Sequence, residues 1–160
     1  MSLDKEIKNK INSSRHEAVL NIVYTANYLD KISREFFNNF DITEAQYNAM
    51  VIIKLENRKL TQVEISERMV SSRSNVTSLI DKLQKKGYVR RLPFDGDRRV
   101  YQVELLDKGL EKLDEVEPRY IKIVEESMKR MSASESRSLS NLLVKIRNGF
   151  KDYKGVENEK

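Results

Sequence analysis

The chain of 160 residues contains no cysteine, one histidine, two prolines and five glycines. Without cysteine it can form no disulfide, hold no metal through thiolates and sense no oxidant through a thiol. The lone His16 cannot build a histidine-rich metal cluster and reads as a surface or helix-packing residue. Scarce proline and glycine, with a third of the residues charged, disfavour a sheet-rich fold built on tight turns and favour long helices. No apolar run approaches the ~18–20 residues needed to cross a bilayer, and the opening MSLDKEIKNKINSS is polar throughout. A soluble, cytoplasmic protein with no membrane partner is expected. No phosphate-binding glycine loop, nucleophile–base pair or metal constellation occurs, so no catalytic residue, cofactor or metal is assigned and an enzyme is not expected.

What the chain does have is a concentrated basic stretch. Between Ser71 and Arg99 stand eight cations (Arg73, Lys82, Lys85, Lys86, Arg90, Arg91, Arg98, Arg99) and three acids (Asp81, Asp95, Asp97), an excess equal to the formal net charge of +5 for the whole chain. The remaining residues are neutral in sum, so the excess is a local patch, the electrostatic footprint of a nucleic-acid binder. A solvated face is the plainer reading of a charge run taken alone, and the pattern beneath it decides between the two.

That pattern is helical on both flanks. Between Arg15 and Phe40, Val19, Ile22, Ala26, Leu29, Phe36 and Phe40 form one stripe at three- and four-residue steps, and Ala18, Tyr24 and Tyr28 add a second. A helix apolar on more than one face calls for burial on both sides, by its own core and by a second subunit. Thr43 followed by Gln46 is a capping box that opens a helix to about Glu56, with Tyr47, Met50, Val51 and Leu55 expected on its buried side. Thr61 with Glu64 repeats the signal and starts a short helix to about Met69. After a turn at Val70 and Ser71, Ser72 is the expected cap of a further helix to Lys86, whose Val76, Leu79, Ile80 and Leu83 make a single apolar stripe. Gly87 stops it. Two short helices joined by a tight turn, the second polar and basic outward, form a helix-turn-helix.

The period then changes. Tyr88–Leu92 and Val100–Leu105 read as strands around a turn rich in Asp and Gly, a two-stranded β wing attached to the helix-turn-helix. From Asp107 the helical stripe resumes through Leu110, Leu113, Val116, Tyr120, Val124, Met128 and Met131, with a kink expected at Pro118. Ser132 and Glu135 cap a last helix lined by Leu139, Leu142, Leu143, Ile146 and Phe150. The expected fold is mainly α: a winged helix-turn-helix lobe over residues 41–106, N- and C-terminal helices over 12–40 and 107–153 forming a dimerisation region, and a disordered tail over 154–160, all one domain of 1–160.

These residues resemble the MarR family of bacterial transcription regulators. The likeness runs from Arg15 to Phe150 and is most specific in LTQVEISERMVSSRSNVTSLIDKLQKKGYVRR and DGDRRVYQVELLDKG. The family's wing signature, Asp-Arg-Arg, a strand, then Leu-Thr-x-x-Gly, is met by Asp97, Arg98, Arg99 and Gly109; Leu106 replaces the threonine, which removes an N-cap worth about 1 kcal/mol unless Asp107 serves one residue later. The resemblance implies a homodimer on a pseudo-palindromic operator in double-stranded DNA, with the helix from Ser72 to Lys86 in the major groove and the wing at the minor groove. It also implies repression relieved by a small aromatic or phenolic ligand, for which Tyr24, Tyr28, Tyr47 and Met50 are the candidates. The missing cysteine excludes the thiol-based peroxide sensors of the family, and the scarcity of histidine argues against its zinc sensors.

On this reading Ser72, Arg73, Ser74, Asn75, Thr77 and Ser78 face base edges and phosphates, with Arg73 best suited to guanine through its paired donors. Thr61 and Gln62 offer backbone N–H groups to a phosphate, and Lys82 with Lys85 gives nonspecific attraction. Arg98 or Arg99 enters the minor groove while Asp97 holds an arginine in place. Val19, Ile22, Ile121, Val124, Met128, Leu139, Leu142, Leu143, Ile146 and Phe150 are the expected dimer contacts. An architectural DNA-binding protein and a winged-helix protein-interaction module are the alternatives.

Overall fold

The computed structural model describes residues 13–69, 75–94 and 97–152, without the side chains of 97–99. The expected cap Ser72, the turn at Val70 and Ser71, and the tail over 154–160 lie outside the described residues. Among those described, six helices and three strands follow in the order α1 (Ser14–Asn38), α2 (Glu44–Glu56), β1 (Leu60–Thr61), α3 (Gln62–Arg68), α4 (Val76–Lys85), β2 (Val89–Phe94), β3 (Asp97–Leu105), α5 (Asp107–Met128) and α6 (Ala133–Asp152). The chain forms two compact units, Met1–Val116 and Glu117–Lys160, and the division falls within α5 just before Pro118.

Helix starts follow their caps. Thr43 Oγ1 accepts from Gln46 N at 3.2 Å while Gln46 Oε1 accepts from Thr43 N at 3.0 Å, a complete capping box for α2. Ser132 and Glu135 build the same reciprocal pair ahead of α6. At α5 the Leu106 carbonyl accepts from Gly109 and Leu110 N–H at 2.8 and 3.0 Å, so position 106 is itself the N-cap and Asp107 is the first helical residue. Asp107 therefore lies one position too late to replace the missing threonine, and its carboxylate acts on the helix dipole.

The core of the first unit is formed by Phe37, Tyr47, Met50, Ile53, Leu60, Ile65, Met69, Val76, Ile80, Leu83, Val89, Val103, Leu113 and Val116, all buried. In α2 the buried set is Gln46, Tyr47, Ala49, Met50 and Ile53. Val51 is half-buried and Leu55 is 78% exposed, against the expectation for both. The inward stripe advances from Met50 to Ile53, and at ~100° per residue Leu55 points about 200° away from Ile53. The aromatic end of α1 packs on this helix: the Phe37 ring lies 5.2 Å from Tyr47 and 5.0 Å from Phe36.

The wing gains a strand. β2 and β3 pair antiparallel from Val89 opposite Leu105 to Pro93 opposite Tyr101, with a bulge before Phe94, and β1 adds to the outer edge of β3 through Leu60 opposite Val103. The sheet order is β1-β3-β2. The edge strand ties the entry of the helix-turn-helix to the base of the wing. At the other end of α4, Gly87 adopts φ +74°, donating to Gln84 O at 2.9 Å while Tyr88 N–H reaches back to Leu83 O at 3.0 Å. This is a Schellman close, and it delivers the chain directly into β2.

Candidate nucleic-acid interface

The helix-turn-helix presents α4 on the surface of the first unit. Val76, Leu79, Ile80 and Leu83 are all buried, which leaves Thr77, Lys82 and Lys85 exposed on the other side and Ser78 half-exposed. Asn75 precedes α4 as its N-cap, is exposed, and makes no side-chain capping bond. Arg73 and Ser74 lie outside the described residues, as do the side chains of Asp97, Arg98 and Arg99, whose backbone opens β3. Lys82, Ser78 and Asn75 share the rim of a shallow depression of about 110 Å³ with Thr43 and Gln46.

The basic stretch separates into two kinds of cation. Lys86 Nζ meets Asp41 Oδ2 at 2.9 Å, Arg90 is paired with Glu104 across the β2–β3 ladder, and Arg91 is paired with Asp81. Asp41 and Glu104 are both held below the usual carboxylate range, chiefly by hydrogen bonds from Lys86 and Arg90. Both acids come from outside the Ser71–Arg99 stretch, so they neutralise charge that a linear count assigns to the patch. Lys82 and Lys85 make no ion pair with any described residue, and they are the cations of α4 that remain for a polyanion.

The start of α3 is also occupied internally. Thr61 N–H donates to Glu64 Oε2 at 2.8 Å and Glu64 N–H to Thr61 Oγ1 at 3.2 Å, with Arg58 Nη2 on Glu64 Oε1 at 2.7 Å. These bonds, that of Arg58 first, pull the Glu64 carboxyl down from 4.5 to about 2. The Thr61 N–H is therefore committed to the capping box and not open to a phosphate, which corrects the expectation for that group.

Gln62 enters a contact that sequence reasoning missed. Arg91, 20% exposed on β2, points its guanidinium at the junction of α3 and α4. Its Nη1 pairs with Asp81 and its Nη2 donates to the Thr77 carbonyl at 3.2 Å. With Oε1 turned toward the guanidinium, Gln62 accepts from Arg91 Nε at 2.9 Å and Nη2 at 3.1 Å while its Nε2 donates to Thr77 Oγ1 at 3.0 Å. The reverse orientation would set the amide NH2 against guanidinium donors. No local periodicity announces this cluster, since its members come from positions 62, 77, 81 and 91 on three elements.

The remaining candidates divide between surface and core. Tyr24 and Tyr28 are exposed on α1, whereas Tyr47 and Met50 are enclosed. Val19, Ile121, Val124, Met128, Leu139, Leu142 and Phe150 are exposed, and Ile22, Leu143 and Ile146 are partly so. Helix α6 has no buried residue in 20.

Residues 42–101, the lobe just described, match the model of the MarR family. This lobe carries a MarR-family domain. Transcriptional repressor MprA of Escherichia coli strain K12 is 31% identical over 106 residues, 66% of this chain and 60% of that protein, so the match spans well under two thirds of its length. The crystal structure of a MarR mutant from E. coli complexed with operator DNA superposes with a TM-score of 0.69 at 25% identity, covering 91% of this chain and 99% of that one. A MarR/EmrR family transcriptional regulator from Acinetobacter sp. ADP1 reaches a TM-score of 0.73 at 23% identity over 89% of this chain and all of that one, a likeness of fold. The family is one of transcription regulators and not of enzymes. Among the described residues no helix is long and apolar enough to cross a membrane.

Proposed function

We propose that the protein is a homodimeric, sequence-specific DNA-binding transcriptional repressor whose α4 enters the major groove of each half of a pseudo-palindromic operator. The observation that carries this reading is the surface of α4. The one face of a short helix turned away from the core carries Thr77, Ser78, Lys82 and Lys85, and its lysines are not neutralised by any described residue. Phosphate attraction would come from Lys82 and Lys85, and base reading from Thr77, Ser78, Asn75 and the preceding Arg73 and Ser74. Arg98 and Arg99 at the wing tip suit the narrow minor groove, with Asp97 as their brace. The similar E. coli MarR mutant complexed with operator DNA supports DNA as the partner, and the repressor MprA supports the direction of control.

Dimerisation is the second element of the proposal. Leu139, Leu142 and Phe150 of α6 are 40, 58 and 63% exposed in the single chain, and Tyr24 and Tyr28 of α1 are 47 and 62% exposed. Apolar area of this extent on terminal helices calls for a covering surface, and a second copy supplies one with the two-fold symmetry that a palindrome requires. Tyr24 and Tyr28 are the part of the aromatic set open to a small phenolic ligand, whose binding at the dimer helices would alter the spacing of the two reading helices. Selection of bound duplexes from a random DNA library at near-physiological salt tests the proposal. Half-sites about one turn apart, ~34 Å, are expected; recovery of DNA with no shared sequence would favour an architectural binder, and recovery of none would refute DNA binding.

A further inference from the structure

We propose that Arg91, although it lies in the basic stretch, does not contact DNA but positions the reading surface by fixing the hydrogen-bond polarity of Gln62 and Thr77. The inference rests on the DNA-binding role proposed above. All three guanidinium nitrogens are already engaged: Nη1 by Asp81, Nη2 by the Thr77 carbonyl and Gln62, and Nε by Gln62. An arginine so committed, and largely covered, has no fork to offer a phosphate.

The engagement has a chemical consequence at the surface. Because a guanidinium carries donors only, it admits Gln62 in the orientation that presents Oε1, and this turns the Gln62 NH2 toward Thr77 Oγ1 at 3.0 Å. The threonine hydroxyl thus receives a hydrogen bond from within the protein and keeps its own proton for another acceptor. Thr77 is exposed on the outer face of α4. In the major groove the available acceptors are purine N7, guanine O6 and thymine O4, together with phosphate oxygens. Arg91 therefore makes Thr77 a donor. The same four residues join α3, α4 and β2, so the angle of the reading helix and the direction of its hydroxyl are set by one group.

The test uses the full-length protein, a duplex selected by the wild type from a random library, and a random-sequence duplex of equal length, each titrated over a range of salt. The double variant Arg91→Gln/Asp81→Asn keeps the net charge while removing the clamp, and Thr77→Val removes the hydroxyl while leaving the Arg91–Asp81 pair in place. Both are expected to lose about tenfold of the preference for selected over random duplex, the scale of one base contact. The slope of log K against log salt stays at the wild-type value for the double variant. Thr77→Ser, which restores a hydroxyl, recovers the preference. A slope lower by about 0.9 in the double variant would make Arg91 a phosphate contact and overturn the proposal; so would an undiminished preference. Thermal melts identify any variant that fails to fold, and if the double variant does, Thr77→Val and Thr77→Ser decide. Absence of salt-dependent binding by the wild type would remove the DNA-binding role and this inference together, whereas tight selective binding unaffected by the variants would remove the inference alone.

Discussion

Replacing Gly109 by alanine tests whether the junction of the wing and α5 is set by close packing. A Cβ at this position would stand 2.4 Å from the Tyr88 carbonyl oxygen and 2.7 Å from Leu105 Cδ1. The leucine can turn away, but the carbonyl cannot, because it also accepts from Leu106 N–H at 2.9 Å. Restoring an ordinary carbon–oxygen contact of about 3.3 Å requires the first turn of α5 and the entry of β2 to separate by most of an ångström. Overpacking of this kind costs about 1–3 kcal/mol, and weakening the Leu106–Tyr88 bond adds about 1 kcal/mol. The better helix propensity of alanine offsets up to about 1 kcal/mol. A net loss of about 2 kcal/mol is expected, or ~4–8 °C in Tm for a chain of this size.

Gly87→Ala is the companion variant. Its nearest neighbour would be Lys108 Cδ at 3.7 Å, ordinary contact, so its cost comes only from the left-handed φ of +74°, about 1 kcal/mol. Urea titrations at one fixed protein concentration should therefore give midpoints in the order wild type, Gly87→Ala, Gly109→Ala, with m unchanged. A Gly109→Ala midpoint equal to that of the wild type, or above that of Gly87→Ala, would refute the packing argument.

Three further outcomes are expected. Lys82→Ala should weaken binding to selected and random duplexes alike and lower the salt slope by about 0.9, since an unpaired lysine on α4 acts through phosphates; a loss confined to the selected duplex would contradict this. Leu142→Glu should shift the protein to monomer in sedimentation velocity, because an unpaired charge buried in an interface costs about 3–5 kcal/mol; an unchanged dimer would exclude α6 from the contact, and a monomeric wild type would refute dimerisation. The Glu64 carboxyl, lowered from 4.5 to about 2, contributes stability that is present above 4.5 and lost as pH falls through 2. Glu64→Gln should accordingly flatten the stability–pH profile across that window, and a parallel profile would disprove the assignment.

The parts of the fold legible in the sequence are those encoded within four residues. The boxes at Thr43, Thr61 and Ser132 place three helix starts, and the stripe from Val76 to Leu83 is buried at every position. Gly87 ends α4 as its lack of a Cβ allows. The third strand escaped because Leu60 pairs with Val103, more than 40 residues away, and two residues carry no alternation to read. Leu55 was misplaced because it lies in the last turn of α2, where an apolar side chain can still be counted into a stripe that has already rotated past it.

The candidate site was legible in its location and not in its division of labour. Composition marks Ser71–Arg99 as basic, but the fate of each cation depends on which acid the fold brings to it. Asp41 reaches Lys86 across 45 positions, while Glu104 meets Arg90 only through the hairpin register. Arg91 is the sharpest case, since a linear count assigns its charge to the basic patch. Its capture by Asp81, Thr77 and Gln62 turns charge into geometry. On the function and clamp proposed above, affinity and selectivity fall to different residues of one lobe: exposed Lys82 and Lys85 would draw the polyanion, and the clamped Thr77 would read it. Salt should accordingly govern how tightly the protein holds any duplex, while the integrity of the clamp governs which duplex it prefers.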